Sequence, residues 1–274
     1  MSPNPVDSRP FPSGDISMLG AIAGDIIGSI HEFGPPAAPG TPLFQANSHF
    51  TDDTVLTLAT ARCLLGDAYY ATAYREGFQA NREQLWGVRF KQWGDDPSMG
   101  PYESFGNGAA MRVSPIGFWA HDEAQALMEA ERSAAVTHNH PEGIRGAQAI
   151  AHAIVLARQG LDGEAILQKM RETHEYALDE PVASLRATSS YNETCQGTVP
   201  PALRIACEAT SFEDVMADCL SLDADTDTLA CIAGGVAEAR FGVPAWIREE
   251  VEGRLRPDQL ALVERFNQAL AVRD

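Results

Sequence analysis

Basic residues are scarce in this chain of 274 residues: 20 lysines and arginines stand against 38 aspartates and glutamates, a formal net charge of −18. A protein that grips nucleic acid or an anionic membrane needs a basic footprint, so this balance argues against both and fits a cationic partner or metal ions better. Long apolar runs are missing too, and nothing approaches the roughly 18 to 20 residues of a membrane span. The opening MSPNPVDSRPFPSGDIS has neither the basic nor the apolar region of a leader peptide, so the chain reads as cytoplasmic. Cys-x-x-Cys pairs are absent, and the five cysteines, at 63, 195, 207, 219 and 231, are odd in number. That argues against a disulfide frame or a structural zinc site and leaves free, mostly buried thiols. Alternating β-branched runs, the mark of strands, are scarce as well.

What remains is a chain with 45% hydrophobic residues, enough for a sizeable core. Residues 1–17, rich in Pro, Ser and Asp, read as a flexible N-terminal arm, and residues 18–274 as one domain. MLGAIAGDIIGSI, from Met18, spaces Gly20, Gly24 and Gly28 four apart, the pattern of a core helix whose bare face admits another backbone. FTDDTVLTLATARCLL starts a second helix, with Thr51 as N-cap and two acids in the first turn. Helical periodicity follows over about 70–93, 122–136, 143–158, 163–175, 200–209, 212–221, 227–240, 244–254 and 257–272. The expected architecture is all-α: a compact, single-domain orthogonal bundle of ten or so helices. One long irregular segment, residues 93–115, interrupts it, and loops of that length inside compact domains are usually functional.

SLDADTDTLACIAGG (221–235) alternates Asp223, Asp225 and Asp227 with the rhythm of a calcium loop. Its sixth and twelfth positions, Thr228 and Gly234, exclude an EF-hand, which needs glycine and glutamate there. Two helix starts therefore carry acids with a threonine beside them: Thr51, Asp52 and Asp53 in one, Asp225, Asp227 and Thr228 in the other. A single acid at such a position is ordinarily a cap. Two clusters of hard oxygen ligands suit Mg²⁺ or Mn²⁺, and if the starts meet, four carboxylates so close need cations.

Glu32 is read in the last turn of the first helix, where an acid opposes the macrodipole, and so is assigned to chemistry. Asp25, mid-helix among apolar residues, is assigned a structural hydrogen bond, and His152 a satisfied place in the core. FGNGAAMR (105–112) offers small residues whose N–H groups could form an anion nest, though it is neither a Walker A loop nor a Rossmann fingerprint. In THNHPEG (137–143), polar contact to substrate or loop bracing fits the histidines better than metal binding. Those at 31, 49, 121 and 174 have no evident partner.

GAIAGDIIGSIHEF, FTDDTV, FGNGAAMRV, THNHPEG and DADTDTLACIAGG fall in the order and spacing of the ADP-ribosylglycohydrolase family, which the chain resembles over about residues 18–243. The resemblance implies an all-α fold around two Mg²⁺ or Mn²⁺ ions that cleaves the C1″ bond of ADP-ribose. By that resemblance Thr51, Asp52, Asp53, Asp225, Asp227 and Thr228 look like the metal ligands, and Glu32 the glutamate closing over the site. The backbone of Gly106, Asn107, Gly108, Ala109, Ala110 and Met111 resembles the diphosphate loop, with Tyr102 and Phe105 beside it, and His138 a ribose contact. Asp53 and Glu32 are the candidates to position the attacking water, with Asp95 and Asp96 as outsiders. Asp223-Ala224 stands where the family usually has Gly-Gly. The implied activity is removal of ADP-ribose from modified protein side chains, most simply arginine. Hydrolysis of O-acetyl-ADP-ribose, or immunity against an ADP-ribosyltransferase that is bound as well as countered, are the alternatives.

Overall fold

Three glycines along one face of the first helix determine how the molecule is assembled. In the computed structural model, which describes residues 18–273, α1 (Leu19–Gly28) lies antiparallel against α13 (Thr226–Phe241) at backbone contact. A Cβ at Gly20 would stand 2.4 Å from the Gly234 carbonyl oxygen, one at Gly24 only 1.9 Å from that of Ala230, and one at Gly28 2.4 Å from Asp227 Cα. No side chain larger than hydrogen fits there. The first N–H groups of α1 lack a side-chain cap, and the buried Glu238 carboxylate accepts from Gly20 N at 2.8 Å instead.

The consequence for the site is direct. Because the helices run in opposite senses, the end of α1 meets the start of α13, so Asp25 and the turn bearing Glu32 come beside Asp227. Asp25 then accepts from Thr51 N (2.9 Å), Thr51 Oγ1 (2.7 Å), Thr54 N (3.0 Å) and Thr54 Oγ1, which fixes the start of α2 (Asp52–Leu64) at the same point. Thr51 is the N-cap of α2, as its sequence indicates. Asp25 holds the structural hydrogen bonds expected of it.

Fifteen helices and no strand are found among the described residues. After α2 come α3 (Tyr70–Ala80), α4 (Val88–Asp95), α5 (Gly108–Met111), α6 (Ser114–Trp119), α7 (Glu123–Ala135) and α8 (Pro141–Arg158). Then follow α9 (Gly163–His174), α10 (Val182–Thr188), α11 (Cys195–Glu208) and α12 (Phe212–Leu220), and after α13, α14 (Ala245–Glu252) and α15 (Pro257–Arg273). The all-α architecture is the expected one; the arm over residues 1–17 lies outside the described residues. All five cysteines are free.

Several boundaries differ from the periodicity. The pattern over 70–93 is two helices, broken at 81–87, where Asn81 O accepts from Trp86 Nε1 at 2.7 Å. α11 starts five residues before Pro200, and Pro200 and Pro201 lie inside its first two turns. Residues 93–115 are not wholly irregular, because α5 and the start of α6 fall within them, and α10 has no counterpart in the expected pattern.

Candidate active site

The starts of α2 and α13 meet. Thr228 Oγ1 lies 3.3 Å from Asp53 Oδ2, and carboxylate oxygens of Asp25, Asp53 and Asp227 fall within 4.8 Å of one another. A second trio, Glu32, Asp225 and Asp227, meets the same limit. Asp53 Oδ1 is buried and has no hydrogen-bond partner among the described residues. An orphaned carboxylate oxygen, with like charges around it and no cation paired to it, is the state a hard divalent ion would relieve. The residues present therefore fit a metal.

Protonation tells the same story. Burial first, then Asp25, pushes the Asp52 carboxyl up to about 8. Burial first, then Asp225 and Glu193, pushes Glu32 up to about 7. Asp53 and Asp227 are raised well above the usual range, again mainly by burial and then by neighbouring acids. Thr51 takes part less directly, since its hydroxyl is engaged with Asp25 at 2.7 Å and only approaches Asp53 Oδ2 at 3.4 Å.

Glu32 does not sit where the periodicity puts it. α1 ends at Gly28, and Glu32 lies half-buried in the turns that follow, closed by His31 N donating to Gly28 O at 2.7 Å. An unfavourable macrodipole is therefore not what marks it; the cluster around it is.

Glu32, Asp52, Asp53, Asp225 and Asp227 line a cavity of about 430 Å³ whose other walls include Gly106, Asn107, Gly108, Tyr102 and His138, while Asp25 lies behind it. Asn107 joins the two sides, because its Nδ2 donates to Asp225 Oδ2 at 2.8 Å. Most of the loop's N–H groups are already engaged: Gly106 N with Ser104 Oγ, Asn107 N with Glu193 O, and Ala109, Ala110 and Met111 N with carbonyls of Gly106 and Asn107. The anion nest expected here is thus largely used up in forming α5. Ala109 and Ala110 are fully buried. Phe105, 45% exposed, sets its ring edge against His140 at 5.2 Å. Tyr102 is buried, with the Arg89 guanidinium 4.9 Å above its ring.

Asp95 and Asp96 are apart from the cavity lining: Asp95 pairs with Arg82, and Asp96 braces Ser98. Asp223 is held at its backbone N–H by Ser189 Oγ at 3.1 Å. His152 is satisfied, as expected, by Glu123 at 2.7 Å and His174 at 3.0 Å, which also gives His174 the partner the sequence did not reveal. His49 and His121 find partners in Asn47 O and Arg273.

Three features of the cavity were not read from the sequence. Glu193 and Tyr191 line it, with the Tyr191 hydroxyl donating to Glu193 Oε1 at 2.8 Å and Phe33 6.3 Å from the Tyr191 ring. They arrive because the strand-like segment before α11 bridges Gly106 to Thr194, a contact 88 residues apart. Arg112, fully buried, is the third. An arginine inside the apolar run AAMRVSPIGFW was the available signal for it.

Comparison with known proteins agrees with this geometry. The chain is 26% identical over 270 residues to ADP-ribosylarginine hydrolase Tri1 of Pseudomonas putida (strain GB-1), covering 85% of this chain and 72% of that one. It is 26% identical over 330 residues to ADP-ribosylhydrolase ARH3 of Mus musculus, covering 89% and 88%. A solved structure, described as an ADP-ribosylglycohydrolase-related protein complex, shares the fold with a TM-score of 0.64 at 24% identity, over 93% of each chain. No helix among the described residues is long and apolar enough to cross a membrane. The sequence profile for ADP-ribosylglycohydrolase matches residues 16–274, and the chain belongs to that family of hydrolases.

Proposed function

We propose that this protein removes ADP-ribose from modified protein side chains, most simply arginine, in a reaction that depends on two Mg²⁺ or Mn²⁺ ions. The observation that carries the reading is the meeting of two acidic helix starts in one cavity, with a buried Asp53 oxygen left unpartnered. Asp52, Asp53, Asp225 and Asp227, with the hydroxyls of Thr51 and Thr228, would hold the ions, which when bound supply Lewis-acid polarisation at substrate oxygens.

The chain's own groups supply the rest. A water oxygen bonds to C1″ as the bond from C1″ to the guanidine nitrogen breaks, through an oxocarbenium-like state. Its proton passes to a carboxylate and thence to the departing guanidine. Glu32 suits that exchange, because its carboxylate lies beside those of Asp225 and Asp227 at the cavity wall. Asp53 is the alternative for positioning the water. Asp25, by fixing Thr51 and Thr54, orients the ligand-bearing turn.

The arginine acceptor is favoured by the acids at the cavity. Glu32 and Glu193 lie beside Asp225 at the cavity, and a guanidinium there would pair with these two glutamates. The aromatic rings of Phe33 and Tyr191 beside them suit its planar face. Tri1, named for arginine hydrolysis, is among the relatives. The immunity reading draws on residues 1–17, outside the described residues.

An activity panel tests the proposal: arginine-, serine- and nucleobase-linked ADP-ribose and O-acetyl-ADP-ribose, each with Mg²⁺, Mn²⁺ or EDTA. The expected result is release from the arginine linkage above the others, lost in EDTA. Undiminished turnover in EDTA would remove the metals; faster release from another linkage would move the acceptor.

A further inference from the structure

Arg112 is fully buried beneath the loop that carries Gly106 and Gly108, and its surroundings dictate where a proton sits on His138. Its Nη2 donates to Ser133 O and to Thr137 Oγ1, each at 2.9 Å, and its guanidinium lies over the Tyr74 ring at 4.3 Å. Thr137, also fully buried, has its hydroxyl 2.7 Å from His138 Nδ1. Arginine can only donate, so the Thr137 oxygen accepts from it, and the hydroxyl has one hydrogen of its own to place. Its only other hydrogen-bonding neighbour among the described residues is His138 Nδ1. Were Nδ1 protonated, that buried hydroxyl hydrogen would face no acceptor, a cost that the reverse arrangement avoids.

We infer that Arg112 and Thr137 are positioning residues that hold His138 neutral with its proton on Nε2, so that His138 meets bound ADP-ribose as a hydrogen-bond donor to an oxygen of the ligand. This rests on the reading that the cavity takes ADP-ribose. His138 is 5% exposed and lines the cavity. Its Nε2 makes no hydrogen bond among the described residues and lies 3.5 Å and 3.4 Å from where a Cβ would stand on Gly106 and Gly108. The donor therefore opens between two glycines, at a loop whose own N–H groups are mostly committed elsewhere. Burial first, then the Arg112 charge, pushes the imidazole well below its usual value, in keeping with the neutral form. The tautomer follows from the hydrogen bond at the other ring nitrogen, as is general for histidine.

The experiment is nitrogen-15 NMR of the histidine side chains in the full-length protein, with His138→Gln identifying the His138 signals, and titration with ADP-ribose itself. Wild type is expected to show the Nε2–H tautomer before ligand is added. Thr137→Val should shift His138 toward the Nδ1–H tautomer and weaken ADP-ribose about tenfold, the worth of one hydrogen bond. Thr137→Ser should restore the tautomer and most of the affinity, which a mere packing role for the threonine would not explain. An Nδ1–H or doubly protonated ring in the wild type would overturn the inference even if Thr137→Val fails to fold. So would wild-type affinity and tautomer in a folded Thr137→Val. Failure of the underlying reading looks different: wild type would not bind ADP-ribose at all.

Discussion

The acid side of the cavity and the histidine side are buried to a similar degree, 2% exposure at Asp53 and 5% at His138, yet their polar groups are satisfied in opposite ways. Around His138 each bond has a definite direction, from Arg112 Nη2 to Thr137 to the imidazole, with Ser133 O as a second acceptor; the guanidinium lies against the Tyr74 ring, and its Nε and Nη1 make no hydrogen bond among the described residues. Around Asp53 the acceptors outnumber the donors. Asp25 collects four donors from Thr51 and Thr54, while Asp53 Oδ1 is left with none. A protein that only needed to bury these acids would have placed donors or a basic residue there. The histidine side is left with spare donors on Arg112 and the acid side with a spare acceptor on Asp53, and it is the acid side that a cation would complete.

Removing a proposed metal ligand from the acid side should have the largest effect. Asp227→Asn is expected to lower hydrolysis on the order of 10³-fold in single-turnover assays and to abolish the stabilisation that Mn²⁺ gives the wild type in thermal melts. The architecture that brings the acids together should be nearly as sensitive. Gly24→Ala would drive a Cβ to 1.9 Å from the Ala230 oxygen, and denaturant unfolding should show a loss of about 3 kcal/mol or more. Glu32→Gln should keep the melting temperature and ADP-ribose binding while lowering kcat about 10²-fold, the size of a lost acid-base group. An unchanged kcat would return Glu32 to a structural role.

A smaller effect sharpens the comparison by pH. Asp52, raised to about 8 from the usual 3.8, keeps its proton in the folded state where the unfolded chain has released it. Its contribution is thus fully present below about pH 4 and is lost as the pH climbs toward about 8. In EDTA, Asp52→Asn should therefore gain melting temperature relative to wild type across that window, and the gain should disappear in Mn²⁺. A pH-independent difference would mean that the acids do not compete for charge. The smallest change expected is Asp223→Gly, at an exposed residue whose backbone N–H donates to Ser189 Oγ, which should alter stability by no more than about 0.5 kcal/mol.

Most of the helices were legible because amphipathic periodicity, caps and glycine spacing are local. So were Thr51 as a cap, Asp25 as a buried acceptor and the pairing of two acidic helix starts. What escaped depends on contacts between distant segments. Glu193 and Tyr191 come to the cavity through the bridge from Gly106 to Thr194, which no local pattern announces. Pro200-Pro201 reads as a helix start, although Thr194 caps α11 six residues earlier by accepting from Gly197 N. The loop at Gly106 advertises free N–H groups, and only the folded chain shows them committed to Glu193 O and to α5. Arg112 looks incidental until Thr137 and His138 are seen beside it.

Calorimetric titration of the metal-free protein with Mn²⁺ near pH 7, repeated in buffers of different ionisation enthalpy, tests the central claim most directly. The account predicts two ions bound per chain with release of protons, because carboxyls held protonated by burial and mutual repulsion must give them up to ligate. Asp53→Asn should lose at least one of the two. Absence of binding, or binding that releases no protons and is unchanged in Asp53→Asn, would contradict it.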